Sequence, residues 1–258
     1  MVLTSDYHTH TRYSHGKGSV LDNAVSAKEK GLLEIAISDH GFSHPVFGLR
    51  KNKLRSLRND IEDAKKITGI NVLMGIESNI TSSDGGVDLK PKYYDKFDVF
   101  LAGFHKFVFI KPSSFFSTFI PDFIANIFRQ TSVPSWVKRN NTRTFVNVIK
   151  KNPVDVITHL NFGCYADAMD VAKVASDYGT FIELNSKKVH LKDEELNDLV
   201  VKTDVNFIID SDAHSVDRVG EISLVEKMLE RVNVPESRIV NINGKLPDFR
   251  FRKFKEKL

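Results

Sequence analysis

The chain has 258 residues and a formal net charge of +4, and 41% of its residues are hydrophobic, which is ordinary for a globular protein. Its single cysteine, Cys164, excludes a disulfide framework within the chain and predicts a reducing, cytoplasmic environment. We expect no signal peptide and no membrane span, because no apolar stretch approaches roughly 18–20 uncharged residues. The length fits one large α/β barrel domain or two small domains.

Apolar runs and amphipathic segments alternate along the chain. The apolar runs predict strands at 2–8, 33–38, 71–80, 97–104, 154–160, 180–185 and 205–211. Apolar residues at helical spacing predict helices at 19–31, 51–68, 165–178 and 193–202. This alternation implies a parallel sheet whose strands are joined by crossover helices.

Histidines and carboxylates lie at or just after the carboxyl ends of six of these strands. An open sheet would bring only one or two strand ends together, whereas a closed barrel brings all of them to one rim. The pattern therefore predicts a barrel of seven strands. Imidazole and carboxylate groups bind Zn, Mn and Fe ions, and nine ligands exceed what one ion needs. The predicted ligands of a cluster of two to three divalent ions are His8, His10, His15, His40, Glu77, His105, His159, Asp212 and His214.

Two of these motifs place ligands two residues apart on a strand. His8 and His10 therefore share one face of the first strand, and Asp212 and His214 repeat this spacing at the last. In a closed barrel the first and last strands are neighbours, so both pairs face one site. For Glu77, at the end of an apolar strand, a carboxylate bridging two metals is favoured over a salt bridge to a Lys or Arg.

Five further residues stand near these motifs without matching the ligand pattern. His44 and His190 are interpreted as surface or loop residues, and Cys164 as a small buried hydrophobe. Asp39 and Asp210 each flank a ligand, so we expect them to orient an imidazole from behind.

The connection at 106–151 is longer than the others and rich in phenylalanine. We interpret it as a lid over the barrel mouth, an extra helical pair, or a surface for self-association through 107–136. A helix lying on a membrane surface is a further alternative. The segments 129–151 and 250–258 are locally basic, so they attract an anionic partner or are simply solvated.

The metal motifs closely resemble those of the PHP (polymerase and histidinol phosphatase) family, above all its stand-alone bacterial members of the YcdX-like and histidinol-phosphatase type. The resemblance runs from His8 to about Asn241 and is densest in Asp-Tyr-His-Thr-His-Thr, Ile-Ser-Asp-His-Gly, Gly-Ile-Glu-Ser-Asn-Ile and Asp-Ser-Asp-Ala-His-Ser. It implies an α/β fold, a distorted seven-stranded (β/α)7 TIM-like barrel with a trinuclear metal centre. Residues 1–258 would form a single domain with a Phe-rich insertion at about 106–151.

The same resemblance implies how the ligands are shared among the ions. One metal would be held by His8, His10, Glu77 and Asp212. A second would be held by Glu77, His105 and His159. A third would be held by His15, His40 and His214.

The function implied is metal-dependent hydrolysis of phosphate esters by a metal-bridging hydroxide, with Glu77, His40, Asp212 and His214 as catalytic residues. We expect small phosphomonoesters as substrates, such as histidinol-phosphate-like compounds or sugar and nucleotide phosphates. Cations beside the ligands are candidates for binding the phosphate: Arg218, Arg12 and Lys106. The alternatives are a 3′–5′ exonuclease or phosphodiesterase on nucleic acid, and a non-catalytic metal-bound interaction module.

Overall fold

The computed structural model describes residues 1–114, 120–127 and 133–258. Seven parallel strands pair in the order in which they occur in the sequence, from β1 to β7. They are β1 (Ser5–Thr9), β2 (Glu34–Ile37), β3 (Asn71–Asn79), β4 (Val99–Gly103), β5 (Val156–Ile157), β6 (Phe181–Asn185) and β7 (Phe207–Asp210). The predicted seven-stranded barrel with crossover helices is thereby confirmed.

Helices lie in the connections between strands, and two more follow the last strand. They are α1 (Val20–Glu29), α2 (Leu54–Thr68), α3 (Pro112–Ser114), α4 (Ile120–Ile127), α5 (Ser135–Lys151), α6 (Ala168–Tyr178), α7 (Asp193–Lys202), α8 (Ser223–Leu229) and α9 (Arg250–Lys255). The four helices predicted from apolar spacing correspond to α1, α2, α6 and α7. In the part of the chain described, no helix is long and apolar enough to cross a membrane.

Local sequence explains where the best-defined helices begin and end. Ser19 accepts a hydrogen bond from the backbone N–H of Asp22, and the Asp22 carboxylate accepts one in return from the Ser19 backbone, which forms a capping box at the start of α1. Helix α2 ends at Gly69, whose φ of 77° lies in the left-handed region that favours glycine.

The barrel closes where β1 meets β7. Thr9 and Ala213 form a parallel bridge, and the N–H of His10 donates to the carbonyl of Ala213 at 2.8 Å. Below this contact the two strands are joined by the buried side chain of Asn241. Its amide donates to the carbonyls of Ser5 and Ile209 and accepts from the Ile209 N–H. Asn241 thus replaces ladder hydrogen bonds that the splayed strands do not make with each other.

One apolar cluster draws a side chain from each of the seven strands and therefore fills the barrel interior. Its members are Tyr7, Ala36, Leu73, Val99, Leu101, Val156, Phe181 and Ile208, together with Phe249. Because side chains alternate along a strand, residues two or four positions later point to the same interior. Glu77 follows the interior residue Leu73 by four positions within β3, which places it at the carboxyl rim, and His105 and Asp212 lie two residues past the ends of β4 and β7.

Strand β5 is shorter than predicted. The sequence indicated a strand over 154–160, but only Val156–Ile157 pairs as one. His159 adopts a φ of 31°, in the left-handed region, and this turns the chain out of the sheet. The early end of the strand swings the His159 side chain over the rim.

Candidate metal centre

The structure brings all nine predicted ligands to the carboxyl rim of the barrel. His8 lies within β1, Glu77 within β3, and the others lie in the segments that follow their strands. Glu77 and most of the histidines around it are buried, whereas His15 and His214 are less so. The rim therefore concentrates imidazole and carboxylate groups that the sequence spreads over more than 200 positions.

One oxygen of Glu77 faces three histidines. Glu77 Oε1 lies 2.7 Å from Nε2 of His159, 3.0 Å from Nε2 of His105 and 3.3 Å from Nε2 of His8. Donors that share one tetrahedral zinc ion at ordinary bond lengths lie about 3.3 Å apart. These nitrogen–oxygen distances are therefore close to those of ligands around a common ion.

The other oxygen of Glu77 faces a different set of groups. Glu77 Oε2 lies 2.8 Å from Nδ1 of His40 and 3.7 Å from Nε2 of His10. His10 Nε2 in turn lies 3.4 Å from Oδ1 of Asp212, which is 3.2 Å from Nδ1 of His214. The two oxygens of one carboxylate thus point into two adjacent groups of donors, as a bridging ligand requires.

The donor atoms fit metal ions because many are buried without a hydrogen-bond partner. A buried polar atom without a partner costs free energy, and natural folds retain such atoms mainly where another ligand satisfies them. The unpartnered buried atoms at the rim are Nε2 of His8, both ring nitrogens of His10, Nδ1 of His40, Oε2 of Glu77, both ring nitrogens of His105 and Nδ1 of His159.

Among the residues that the structure describes, four overlapping groups of three donors lie close enough together to hold an ion. They are His8–Glu77–His159, His40–Glu77–His105, His8–His10–Asp212 and His10–His40–His214. The arrangement differs in two respects from the one that the family resemblance implies. His10 rather than His15 groups with His40 and His214, and His105 and His159 fall into separate groups around Glu77, with His40 and His8 respectively. His15 still lies beside them, with its ring 4.7 Å from that of His40 and 4.3 Å from that of His214.

Burial lowers the pKa values of two central imidazoles. Burial, reinforced by the neighbouring His40 and His214, holds the pKa of His10 well below its usual value. Burial also lowers the pKa of His40 to about 3, although the Glu77 carboxylate opposes the shift. A neutral imidazole has the free lone pair that a metal ligand needs.

Known proteins with similar sequences show which family this chain belongs to. The family model named PHP domain matches residues 6–187, which is well over half of the chain. The chain belongs to the PHP domain family. A probable phosphatase of Caldanaerobacter subterraneus subsp. tengcongensis is 30% identical over 254 residues, covering 93% of this chain and 87% of that protein. A probable phosphatase of a Thermoanaerobacter species is 29% identical over 265 residues, covering 96% and 95% respectively.

Solved structures share the fold of this PHP protein. The histidinol phosphate phosphatase of Lactococcus lactis, crystallised with zinc, L-histidinol and phosphate, superposes with a TM-score of 0.60 at 13% identity, covering 96% of this chain and all of that one. A protein of Listeria monocytogenes named as a putative histidinol phosphatase gives a TM-score of 0.57 at 13% identity, covering 84% of this chain and 97% of that one. Because the chain belongs to this family and its relatives are phosphatases, the protein is a metal-dependent phosphoesterase. Its clusters of histidine and carboxylate donors suit divalent ions.

Glu183 on β6 belongs to the site although no sequence motif marks it. Its Oε1 lies 2.6 Å from Nδ1 of His8, and its Oε2 accepts hydrogen bonds from the N–H of His159 and the side chain of Asn185. Because an ionised carboxylate can only accept a hydrogen bond, this contact places a proton on Nδ1 of His8 and leaves Nε2, which faces Glu77, as the nitrogen that would bind a metal ion. Its position in the sequence could have revealed it. Glu183 lies two residues after Phe181 on β6, so its charged side chain points to the same barrel interior.

Asp39 and Asp210 contact other groups instead of the imidazoles that we expected them to orient. Asp39 accepts from the N–H and hydroxyl of Thr11 and from the hydroxyl of Ser14, and so shapes the loop that carries His15. Burial raises the pKa of Asp39 to about 6, against the lowering effect of these hydrogen bonds. Asp210 accepts from the Tyr7 N–H at 2.6 Å across the barrel seam.

A cavity of about 280 Å³ opens over the cluster. Besides predicted ligands, it is lined by His44, Phe47, Lys106, Phe107, Phe162 and Lys187. His44 is therefore part of the rim and not a distant surface residue. His190 also lies close to the site, since its ring packs 5.8 Å from that of His159. Both histidines lie in loops, as expected, and belong to none of the donor groups, although both border the cluster.

The three cations expected to bind phosphate are placed differently from one another. Lys106 lines the cavity. Arg12 pairs with Asp22 at 3.7 Å, and Arg218 pairs with Glu221 and donates to the Ser186 carbonyl. Neither arginine is among the described residues that line the cavity.

The Phe-rich segment is described only in part. Phe107 lines the cavity, the N–H of Phe109 donates to the Ser43 carbonyl, and the N–H of Lys111 donates to the Thr81 carbonyl. The beginning of the segment thus lies along the rim. The expectation of a lid or an interface also involves residues outside the described part of the chain, namely Phe115, Phe116, Phe119 and Phe128.

Proposed function

We propose that this protein hydrolyses small phosphomonoesters with two or three divalent ions held at the rim. The proposed ligands are the nine predicted residues, His8, His10, His15, His40, Glu77, His105, His159, Asp212 and His214. The observation that carries the proposal is the placement of Glu77, whose two oxygens face separate groups of buried imidazoles. Such a bridging carboxylate is typical of sites in which paired ions act on a phosphate ester.

Bound divalent ions supply an activated water molecule, neutralise phosphate charge and stabilise the leaving oxygen. The chain's own residues position that chemistry. Glu77, His40, Asp212 and His214 act as catalytic residues by fixing the cluster, and Glu183 fixes the tautomer of His8. Lys106 lines the cavity and offers positive charge to the phosphate. Arg12 and Arg218 would first have to leave the carboxylates that they contact.

The shape of the cavity supports a small substrate with a ring or a short chain as its leaving group. About 280 Å³ accommodates a compact monoester but not a folded polymer. Phe47, Phe107 and Phe162 provide apolar and aromatic surface at the mouth. A histidinol-phosphate-like ester or a sugar or nucleotide phosphate fits this description.

Hydrolysis of nucleic acid is less well supported. The basic residues of α5 line a separate surface cavity in which Asp167 and Asp170 also lie. Lys138 there is paired with Asp167 at 3.1 Å. The local balance of charge is therefore mixed, whereas a groove for a polyanion needs a continuous positive surface.

A panel assay tests the proposal. The metal-loaded protein should release phosphate from histidinol phosphate, sugar phosphates or nucleoside monophosphates faster than it degrades single-stranded DNA. Glu77→Ala should lower kcat/KM at least about a hundredfold with loss of bound metal, because it removes a ligand from two groups at once. The exposed Glu194→Ala is the matched control. Rapid degradation of DNA without release of phosphate from any monoester would refute the proposal.

A further inference from the structure

Lys187 is a cation at the metal cluster that the sequence analysis did not identify. It follows β6 in a turn that Asn185 holds, since Oδ1 of Asn185 accepts from the N–H groups of Lys187 at 2.9 Å and Lys188 at 3.2 Å. The amide of Asn185 also donates to Glu183 at 3.0 Å. The backbone of Lys187 is therefore tied to the same network that orients His8.

The ammonium of Lys187 reaches the donor atoms themselves. Its Nζ lies 3.3 Å from Oδ1 of Asp212 and 3.0 Å from Nδ1 of His214. Among the residues that the structure describes, it is the only Lys or Arg side chain that forms an ion pair with a proposed ligand. Lys106 lines the same cavity but has no such ion pair in that part of the chain.

An ammonium and a divalent ion cannot both occupy these donors, because two positive charges held about 3 Å from the same atoms repel each other. When Asp212 and His214 bind metal, Lys187 must turn away from them. Its side chain is 46% exposed and flexible, and it already lines the cavity over the cluster. The nearest place that still favours a positive charge is the cavity, where a substrate phosphate would lie if metals held it at the rim.

We propose that Lys187 binds a non-bridging oxygen of the substrate phosphate in the metal-loaded protein. This inference rests on the proposed phosphomonoesterase function. It assigns to this chain a phosphate-binding residue just after β6 instead of the arginines that sequence proximity suggested. No covalent step is involved: the ammonium donates a hydrogen bond to the phosphate and keeps its proton.

The test measures binding of inorganic phosphate to the zinc-loaded protein by titration calorimetry, so it does not depend on turnover. Lys187→Met should weaken phosphate binding roughly tenfold to a hundredfold, since one charge-assisted hydrogen bond is lost. Lys187→Arg should recover most of the affinity. Lys188→Met is the matched control, because Lys188 is adjacent and lies over the Phe162 ring at 6.0 Å. We expect it to bind phosphate like the wild type.

Metal content measured on the same samples completes the test. Equal metal content in all four proteins, with weakened phosphate binding only in Lys187→Met, supports the proposal. Unchanged phosphate affinity in Lys187→Met, an equal loss in Lys188→Met, loss of metal from Lys187→Met, or absence of phosphate binding by the wild type would each overturn it. If the wild type binds phosphate but hydrolyses no monoester, the proposed function fails while the contrast between the lysine variants still decides the role of Lys187.

Discussion

Glu183 determines the chemistry of a neighbouring residue without itself belonging to any of the donor groups. Its carboxylate binds Nδ1 of His8 with one oxygen and the backbone of His159 with the other. It thereby couples the orientation of one imidazole to the position of the next. Such supporting contacts fix the tautomer and raise the basicity of a ligand.

We expect Glu183→Gln to weaken metal binding and lower kcat/KM by roughly 10- to 100-fold, because an amide can present either its NH₂ or its oxygen to His8 and no longer carries the charge. Metal titration and steady-state kinetics measure both effects. The exposed Glu194→Gln is the control. Full metal affinity in Glu183→Gln would show that His8 is held by its packing alone.

The buried carboxyl group of Asp155 makes the stability of the fold depend on pH. Its carboxylate accepts from the N–H of Phe100 at 2.9 Å and of Phe251 at 2.7 Å, and so joins β4 to the start of α9. Burial raises its pKa to about 7, even though these hydrogen bonds oppose the shift. Between about pH 4 and pH 7 the folded state therefore retains a proton that the unfolded state releases. The contribution of Asp155 to stability falls as the pH rises through this window.

Asp155→Asn removes the titrating carboxyl group, and it also replaces one of the two accepting oxygens with an NH₂ group that can only donate. The variant should be less stable than the wild type at pH 5, and the deficit should shrink by pH 8, where the wild type carries a buried charge. Urea unfolding at the two pH values measures the difference. The exposed Asp204→Asn should match the wild type at both. An Asp155→Asn deficit that does not change with pH would contradict the assignment.

At the scale of elements, the connection after β4 borders the cavity at its beginning and exposes apolar side chains away from the cavity further along. Phe107 is 72% exposed and lines the cavity, and Phe109 is 70% exposed but is not among the described lining residues. Further along, Ile124 of α4 and Trp136 of α5 are also exposed. Self-association through 107–136 stays a prediction that these exposed apolar side chains support.

Phe107 and Phe109 form a matched pair for testing the rim. Phe107→Ala should raise KM severalfold with little change in kcat or metal content, because it removes apolar surface from the mouth and no donor from the cluster. Phe109→Ala should leave the kinetics unchanged. Steady-state kinetics on the best substrate of the panel distinguishes the two. Equal effects of both substitutions would mean that the whole connection, and not its first residues, borders the substrate.

At the scale of the molecule, the barrel concentrates unpartnered donors at one rim, so its stability should depend on bound metal. A ligand that binds only the folded state stabilises it, and metal affinity is then folding free energy. Treatment with a chelator should lower Tm by ~5 °C or more. The Glu77→Ala protein should show a smaller decrease, because it has less metal to lose. Differential scanning calorimetry with and without chelator makes the comparison, and an unchanged wild-type Tm would contradict it.

The sequence by itself was enough to predict seven parallel strands, the four helices with clear apolar spacing, and that histidines and carboxylates meet at one rim. It could do so because period-two and helical spacing are local properties, and because ligands such as His8 and His10 lie next to the strand ends that place them. The Phe-rich connection lacks a regular period, so its apolar pattern does not predict how α3, α4 and α5 are arranged.

Only the tertiary structure decided which of these groups meet. Glu183 could not be told from a solvent-facing carboxylate until β6 was placed in the barrel with His8 behind it. The loops after β2 and β6 place His44, Lys187 and His190 beside the cluster. Outside the cavity, Arg12 pairs with Asp22 and Arg218 pairs with Glu221. The alternation of apolar and polar residues in one strand predicts which face of the sheet a side chain occupies. Which side chains it contacts across the barrel depends on strands distant in sequence and on the twist of the sheet.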